Sequence, residues 1–392
     1  MNLGRTVFAQ LIELLPRRAF ELAIERHRTS GRPLTLSCMD QLLCMTFAQL
    51  TGRSSLRETI TCLRALGARR YHLGIRHAPA RSTLADANER RDHRIFMDTA
   101  LSMIASTRAE LPIDPQLRRL NIRAAFALDS TTIDLCLALF PWARFKRTKG
   151  AIKAHVLLDL QVGLPVFMRI SHGKTSDVST LDQLTYVPSG FYVLDRGYVD
   201  FVRLHRLHQA GAFFVTRPKR RMKYRVIRRF DPDPDRGVIR DRLIRLTGQR
   251  ARRQRLTKWT IRLIRYIDPV TGKRLSFLTN HLTLAAWQIA LLYRKRWRIE
   301  LLFKWMKQHL HIKAFFGTTP NAVKSQLWIA VITLVLIHRL KHRLGLSQTP
   351  NEIAQILSVT LCEKTPVNQA FFDDVEQNEE TQNRNQMMLF EL

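Results

Sequence analysis

Apolar residues recur every three to four positions through most of the first 115 residues, the spacing of one face of a helix. Val7 to Leu15, Phe20 to Ile24, Leu36 to Leu50, Ser54 to Leu66 and Ile95 to Ile104 each carry that pattern. Ser37 and Asp40 are suitable starts for the third helix, since short polar side chains cap free N–H groups. Gly31–Arg32–Pro33 and Gly67–Ala68 interrupt the pattern, and Arg81 to Arg94 is dense in charge. A basic helical domain over residues 1–118 is predicted.

Near Leu120 the character changes, and short apolar runs replace the helical spacing. Ala124 to Leu128 (AAFAL), Lys153 to Leu160 (KAHVLLDL), Leu164 to Ile170 (LPVFMRI), Phe191 to Leu194 (FYVL) and Phe213 to Thr216 (FFVT) read as strands. Gln161–Val162–Gly163 suits a hairpin turn, and Tyr198 to Ala210 has helical spacing through Phe201, Leu204 and Leu207. Strands first adjacent and then alternating with helices predict a mixed α/β sheet. Residues 217–274 differ again. They are Arg-rich, with turn clusters at Asp231–Pro234 and Pro269–Gly272, and read as a β-rich insertion. Leu275 to Thr279 returns to the sheet, and Ala285 to Leu310 reads as one long helix. After a loop at Gly317 to Pro320 a further helix runs to about Leu344. The predicted catalytic domain is therefore 119–345. The extension 346–392 ends in an acidic, Asn/Gln-rich tail from Phe371, whose composition predicts disorder.

Charge narrows the class. Lys and Arg number 64 against 32 Asp and Glu, a net charge of +32 in 392 residues. Such an excess repels itself unless an anionic partner compensates it, and nucleic acid is the commonest. A ribosomal or membrane-surface protein is the plainer alternative. The five cysteines, Cys38, Cys44, Cys62, Cys136 and Cys362, form no C-x-x-C pair, which argues against a structural zinc site or disulfide framework and fits a reducing cytoplasm. No secretory signal is visible at the N-terminus. The most apolar run, Leu327 to Ile337, is 11 residues, short of the ~20 that span a bilayer. It predicts a buried core helix and no membrane partner.

Three acidic residues stand out. Asp129 follows FAL and Asp195 follows YVL, each at the end of an apolar strand, where ligands gather in open sheets. Either could equally form a turn or cap a helix. Glu300 lies in the long helix with Tyr293, Arg296 and Lys307. At about 100° per residue, Tyr293 and Lys307 fall about 20° from the line of Glu300 and Arg296 about 40°. The bland alternative is a solvated face with one Arg–Glu pair. Three carboxylates are the hard oxygen ligands that two-metal phosphoryl transfer requires, with Arg and Lys to hold flanking phosphates. Other candidates are weaker. Asp159 suits a turn, Asp134 could support Asp129 from behind, and His155 could lie near the metals, although a lone strand histidine is usually packed. Trp297 and Trp305 suit core packing. Arg217, Lys219, Arg220, Arg221 and Lys223 form either a solvated basic loop or a phosphate contact.

The order and spacing of these residues resemble the bacterial DDE transposases of the insertion-sequence-four family. Its Tyr-(2)-Arg-(3)-Glu-(6)-Lys signature is matched at Tyr293, Arg296, Glu300 and Lys307. ALDST (Ala127 to Thr131) and VLDRGY (Val193 to Tyr198) resemble its two Asp motifs, and TKGAIKAH (Thr148 to His155) its intervening strand. FAQLTGRSSLRET and RSTLADANERRD resemble the helical domain that precedes the core. The resemblance implies an RNase-H-like catalytic core with a β-rich insertion, and 105 positions separate Asp195 from Glu300 to accommodate one. It implies Asp129, Asp195 and Glu300 as catalytic and metal-binding residues for two Mg²⁺ ions, with Mn²⁺ as a substitute. Tyr293, Arg296, Lys307, Arg217, Lys219, Arg220 and Arg221 are expected on DNA. The implied partners are double-stranded DNA, as element ends and target, and a second copy of the chain. The expected location is the bacterial cytoplasm, at the nucleoid. A metal-dependent nuclease on the same fold and a non-catalytic DNA-binding derivative are the competing functions.

Overall fold

The computed structural model describes residues 4–28, 35–145, 147, 149–309 and 315–371. The break expected at Gly31–Pro33 and the acidic tail lie outside the described residues. The chain divides into two compact units, residues 1–110 with 304–392 and residues 111–303.

In the first unit the N-terminal part is helical: α1 (Val7–Ile12), α2 (Arg17–Arg26), α3 (Cys38–Leu50), α4 (Leu56–Ala65), α5 (Arg81–Arg90) and α6 (Arg94–Glu110). Ser37 caps α3 as expected, its hydroxyl accepting the Asp40 N–H at 2.9 Å. The interruption at Gly67 opens a 3₁₀ turn over Gly67–Leu73, and Gly67 has φ +53°, a left-handed conformation that glycine adopts without a steric penalty.

In the second unit, α7 (Pro115–Arg119) leads into β1 (Ala125–Leu135), β2 (Gly150–Asp159), β3 (Pro165–His172) and β4 (Phe191–Leu194). Then come α8 (Phe201–Gln209), β5 (Phe213–Thr216), β6 (Tyr224–Phe230), β7 (Val238–Leu246), α9 (Gln249–Arg253), β8 (Thr260–Ile267) and β9 (Arg274–Thr279). All nine strands form one sheet, ordered β3-β2-β1-β4-β5-β9-β8-β7-β6. Strands β1 to β3 form an antiparallel meander, β4 and β5 run parallel to β1, and the expected insertion is an antiparallel extension of the same sheet. The hairpin turn between β2 and β3 falls where expected, with Gly163 at φ +77°. The apolar faces of Phe126, Leu128, Tyr192, Leu194, Phe214, Leu204 and Leu207 close the core beneath the central strands. This is the mixed α/β architecture that the strand and helix patterns predict.

Two expectations need correction. First, β1 does not stop before Asp129. It continues to Leu135, because β2 pairs with it along its whole length. Second, the long helix is two, α10 (Ala286–Lys295) and α11 (Trp297–His309), broken at Arg296. The joint tightens into three-residue bonds, Arg296 N–H to Tyr293 O and Ile299 N–H to Arg296 O, each 3.1 Å. Buried Asp114 sits against this joint. It accepts Lys295 Nζ at 2.8 Å on both oxygens and Arg298 Nη2 at 2.6 Å, drawing residues on either side of the joint to one point. The compact units cut across the span 119–345 expected for the catalytic domain: the division falls after Glu110 and after Phe303, and residues 304–345 group with the N-terminal helices. The apolar sequence of α12 (Pro320–Leu344) accounts for that. Sixteen of its residues are buried, which a single packed face cannot provide, and α3, α5, α6 and α13 (Pro350–Thr360) surround it. By length and composition α12 could cross a membrane, but its most apolar stretch is 83% buried within the protein, in keeping with the core helix expected there.

Candidate active site

The parallel register of β1 and β4 runs from Ala125↔Phe191 to Leu128↔Leu194. Asp129 and Asp195 are the next residues on each strand. They therefore emerge side by side where the parallel pairing ends, on strands about 4.8 Å apart. Asp195 occupies the N-cap position of the 3₁₀ turn Arg196–Tyr198, yet its side chain makes no capping bond. Asp200 and Asp114, by contrast, cap α8 and α7 in the ordinary way. The turn-former explanation thus accounts for the backbone at Asp195 and leaves its carboxylate uncommitted.

Glu300 sits in the first turn of α11, where the helix dipole favours an anion. Arg296 links it to the first aspartate. Its Nη1 donates to Asp129 Oδ2 at 3.0 Å and its Nη2 to Glu300 Oε1 at 2.5 Å. The same guanidinium lies 5.7 Å from the Tyr293 ring centroid, and Tyr293 packs on Phe277. Asp129 Oδ1 accepts the Ser130 N–H at 2.8 Å. Burial raises the Asp129 carboxyl to about 6, against the Ser130 N–H and Arg296, and the negative charges of Asp195 and Glu300 push it further. The charges of both other carboxylates are thus felt at Asp129. Burial also raises the Tyr293 hydroxyl, with Arg296 and Arg217 opposing and Asp195 assisting. Arg217 follows β5 directly and so belongs to this neighbourhood.

Among the described residues no three His, Cys, Asp or Glu side chains come close enough to chelate an ion as they stand. The donor chemistry nevertheless fits one. The oxygens are hard, Asp195 is uncommitted, and one cationic group already lies between Asp129 and Glu300.

The other expected residues are more dispersed. Lys307 is half-buried, seven residues beyond Glu300 on α11. Lys219, Arg220 and Arg221 are exposed after β5. Residues 217–274 hold 21 Lys and Arg against 5 Asp and Glu, so half of the chain's excess charge lies in this insertion. Asp134 is exposed, and Asp159 caps its turn through the Gln161 N–H at 2.8 Å. Trp297 is 58% exposed rather than packed in a core. His155 is buried on β2 opposite Ser130, its Nε2 2.8 Å from Ser171 Oγ. Sequence reasoning passed over Asp177, Ser130 and Lys153, which meet beside Asp129. The signal available for Lys153 was its place in the strand that pairs with β1.

The family described as "Transposase DDE domain" matches residues 122–336, more than half the chain and all three carboxylates. This chain belongs to the DDE transposase family. The transposase is 33% identical over 265 residues to "Putative transposase y4zB" of Sinorhizobium fredii, covering 66% of this chain and 71% of that protein. It is 25% identical over 288 residues to "Putative transposase for insertion sequence element IS4SA" of Synechocystis sp., covering 72% and 78%. It is 30% identical over 212 residues to "Probable transposase for insertion sequence element IS5377" of Geobacillus stearothermophilus, covering 54% and 55%. A domain of unknown function (DUF4372) matches residues 3–76. A solved piggyBac transposase synaptic complex with hairpin DNA aligns over 91% of this transposase and 78% of that chain, at 10% identity and TM-score 0.42, too slight a likeness to add weight. The insertion-sequence names of these relatives agree with the family resemblance carried by Tyr293, Arg296, Glu300 and Lys307. DDE transposases cleave and join DNA and work with divalent metal ions.

Proposed function

We propose that this transposase binds the inverted repeats at the ends of its own element, cleaves there and joins the ends to target DNA, with Asp129, Asp195 and Glu300 as the catalytic carboxylates. The observation that carries the reading is the placement of Asp129 and Asp195 side by side, each one residue past the end of the β1–β4 parallel pairing, with Glu300 tied to Asp129 through Arg296. The strand order β3-β2-β1-β4-β5, with β2 antiparallel and β4 and β5 parallel to β1, supports an RNase-H-like core.

Two Mg²⁺ ions, replaceable by Mn²⁺, would activate the attacking oxygen and stabilise the leaving one. The chain's residues do the rest. Asp129 and Asp195 present oxygens from the point where the β1–β4 pairing ends and Glu300 from the first turn of α11. Arg296, Tyr293 and Lys307 hold DNA beside them, Arg296 passing from carboxylate to phosphate. Arg217, Lys219, Arg220 and Arg221 extend the contact onto the basic insertion, where phosphate neutralisation releases counterions and supplies sequence-independent affinity. The helical segment through residue 118 binds DNA, and a dimer holds two ends.

The test is incubation with end-containing DNA and Mg²⁺. Wild type is expected to cut and join, and Asp129→Asn, Asp195→Asn and Glu300→Gln each to abolish both while retaining DNA binding. Unchanged cleavage by the variants would refute the site. Cutting without joining would mean a nuclease.

A further inference from the structure

Beside Asp129 lies a second polar cluster that the triad does not use. Asp177 opens the 3₁₀ turn Asp177–Gln183 that follows β3. Its Oδ1 accepts the Ser130 hydroxyl at 2.8 Å and Lys153 Nζ at 3.1 Å. Lys153 also donates to Thr175 O at 3.0 Å, which ties the segment after β3 back to β2. The His155 ring is fully buried, its Nδ1 without a hydrogen-bond partner among the described residues and 3.7 Å from the same Asp177 oxygen. The buried Tyr198 hydroxyl lies within electrostatic reach of Asp129, Asp177 and Asp195, and burial raises it well above the usual phenol range. A surface turn has no need of a buried histidine, a lysine and a serine around one carboxylate, and the cluster adjoins a reactive aspartate.

We propose that Asp177 is a positioning residue for the transposase reaction, acting on Asp129 through Ser130. Ser130 is the residue whose N–H holds Asp129 Oδ1. Anchoring its hydroxyl fixes the strand where that N–H is presented, and so fixes the rotation of the Asp129 carboxylate. Oδ1 is then committed to the backbone, while Oδ2 remains the oxygen that meets a cation, as it meets Arg296. Asp177 has a second effect. It neutralises Lys153, whose ammonium would otherwise repel a metal ion from the same neighbourhood. Partners that orient a metal-binding carboxylate typically change metal affinity by about 10–100-fold when removed.

The inference rests on the reading of Asp129 as a metal ligand, and the experiment separates the two. Mn²⁺ binding to the full-length protein is followed by electron paramagnetic resonance, with thermal unfolding recorded in parallel. Asp177→Ala and Ser130→Ala are each expected to raise the Mn²⁺ Kd by about 10–100-fold. The double variant is expected to be no worse than Asp177→Ala, because both residues act through one hydrogen bond. With DNA, kcat is expected to fall while the KM for DNA holds. Wild-type Mn²⁺ affinity in Asp177→Ala, or strictly additive effects, would overturn the proposal. Should Asp177→Ala fail to fold, Ser130→Ala alone decides it. Asp129→Asn is the control. If it binds Mn²⁺ like wild type, the metal-site reading itself is wrong. If it loses binding while Ser130→Ala does not, only the role of Asp177 falls.

Discussion

Arg296 Nη1 donates to Asp129 Oδ2 across 167 positions of sequence, and the other arm of the same guanidinium holds Glu300. One planar cation thus spans two of the three carboxylates. A lysine ammonium cannot repeat that two-armed contact. Burial works against the charge on Arg296, but Tyr293, Glu300 and Asp129 outweigh it and hold the guanidinium above its usual range. The cation belongs to this group of anions and competes with any other that enters.

Removing that competitor has a definite sign. Arg296→Gln is expected to bind Mn²⁺ more tightly than wild type in the absence of DNA. A part-exposed ion pair is worth about 1 kcal/mol, which corresponds to a Kd lower by about five-fold. DNA cleavage is expected to fall in the same variant, since the phosphate contact is lost. Calorimetric titration with Mn²⁺ beside a cleavage assay checks both. Weaker metal binding would mean that Arg296 assembles the site instead of competing within it.

Asp114 is expected to be among the most sensitive structural positions in the sheet unit. Its side chain is 6% exposed, and it accepts buried Lys295, 7% exposed, and also Arg298. Asp114→Ala leaves an ammonium buried without its counter-ion, which typically costs about 3–5 kcal/mol. It also frees the joint between α10 and α11, on which the placing of Arg296 and Glu300 depends. Denaturant unfolding measures the first effect. Cleavage per folded molecule measures the second.

His155 provides a pH dependence. Burial holds its imidazole down at about 4, below the 6.5 of a free histidine, and the nearby Asp177 only partly offsets that. The unfolded chain therefore takes up a proton first as the pH falls. The stability that the neutral ring contributes is complete above pH 6.5 and is lost between 6.5 and 4, by up to about 3 kcal/mol. His155→Gln is expected to flatten that part of the stability curve relative to wild type. Chemical denaturation at intervals across this range is the measurement, and parallel curves for the two proteins would refute the assignment.

The edge strand β6 exposes Arg225, Arg228 and Arg229. If the insertion lies on the DNA backbone, each Arg→Gln change there removes about 0.9 from the slope of log K against log salt. The affinity loss should be equal for element ends and unrelated duplexes, because phosphates carry no sequence. A loss confined to element ends would point to base reading instead.

The sequence by itself determined the elements and the identity of the chemistry. The short apolar runs AAFAL and FYVL and the helical spacing around Phe201 are local properties of the chain, so they survive into the fold with shifts at the ends. The spacing of Tyr293, Arg296, Glu300 and Lys307 likewise lies within one segment and could be read directly. What tertiary structure decided are the relationships between distant charges. Asp114 gathers Lys295 and Arg298, and Asp177 gathers Ser130 and Lys153. No periodicity announces either, because an ion pair is made by two points meeting in space and leaves no repeat along the chain. The grouping of α12 with the N-terminal helices has the same origin. Its sequence says that it must be buried on all sides, and only the folded chain says by what.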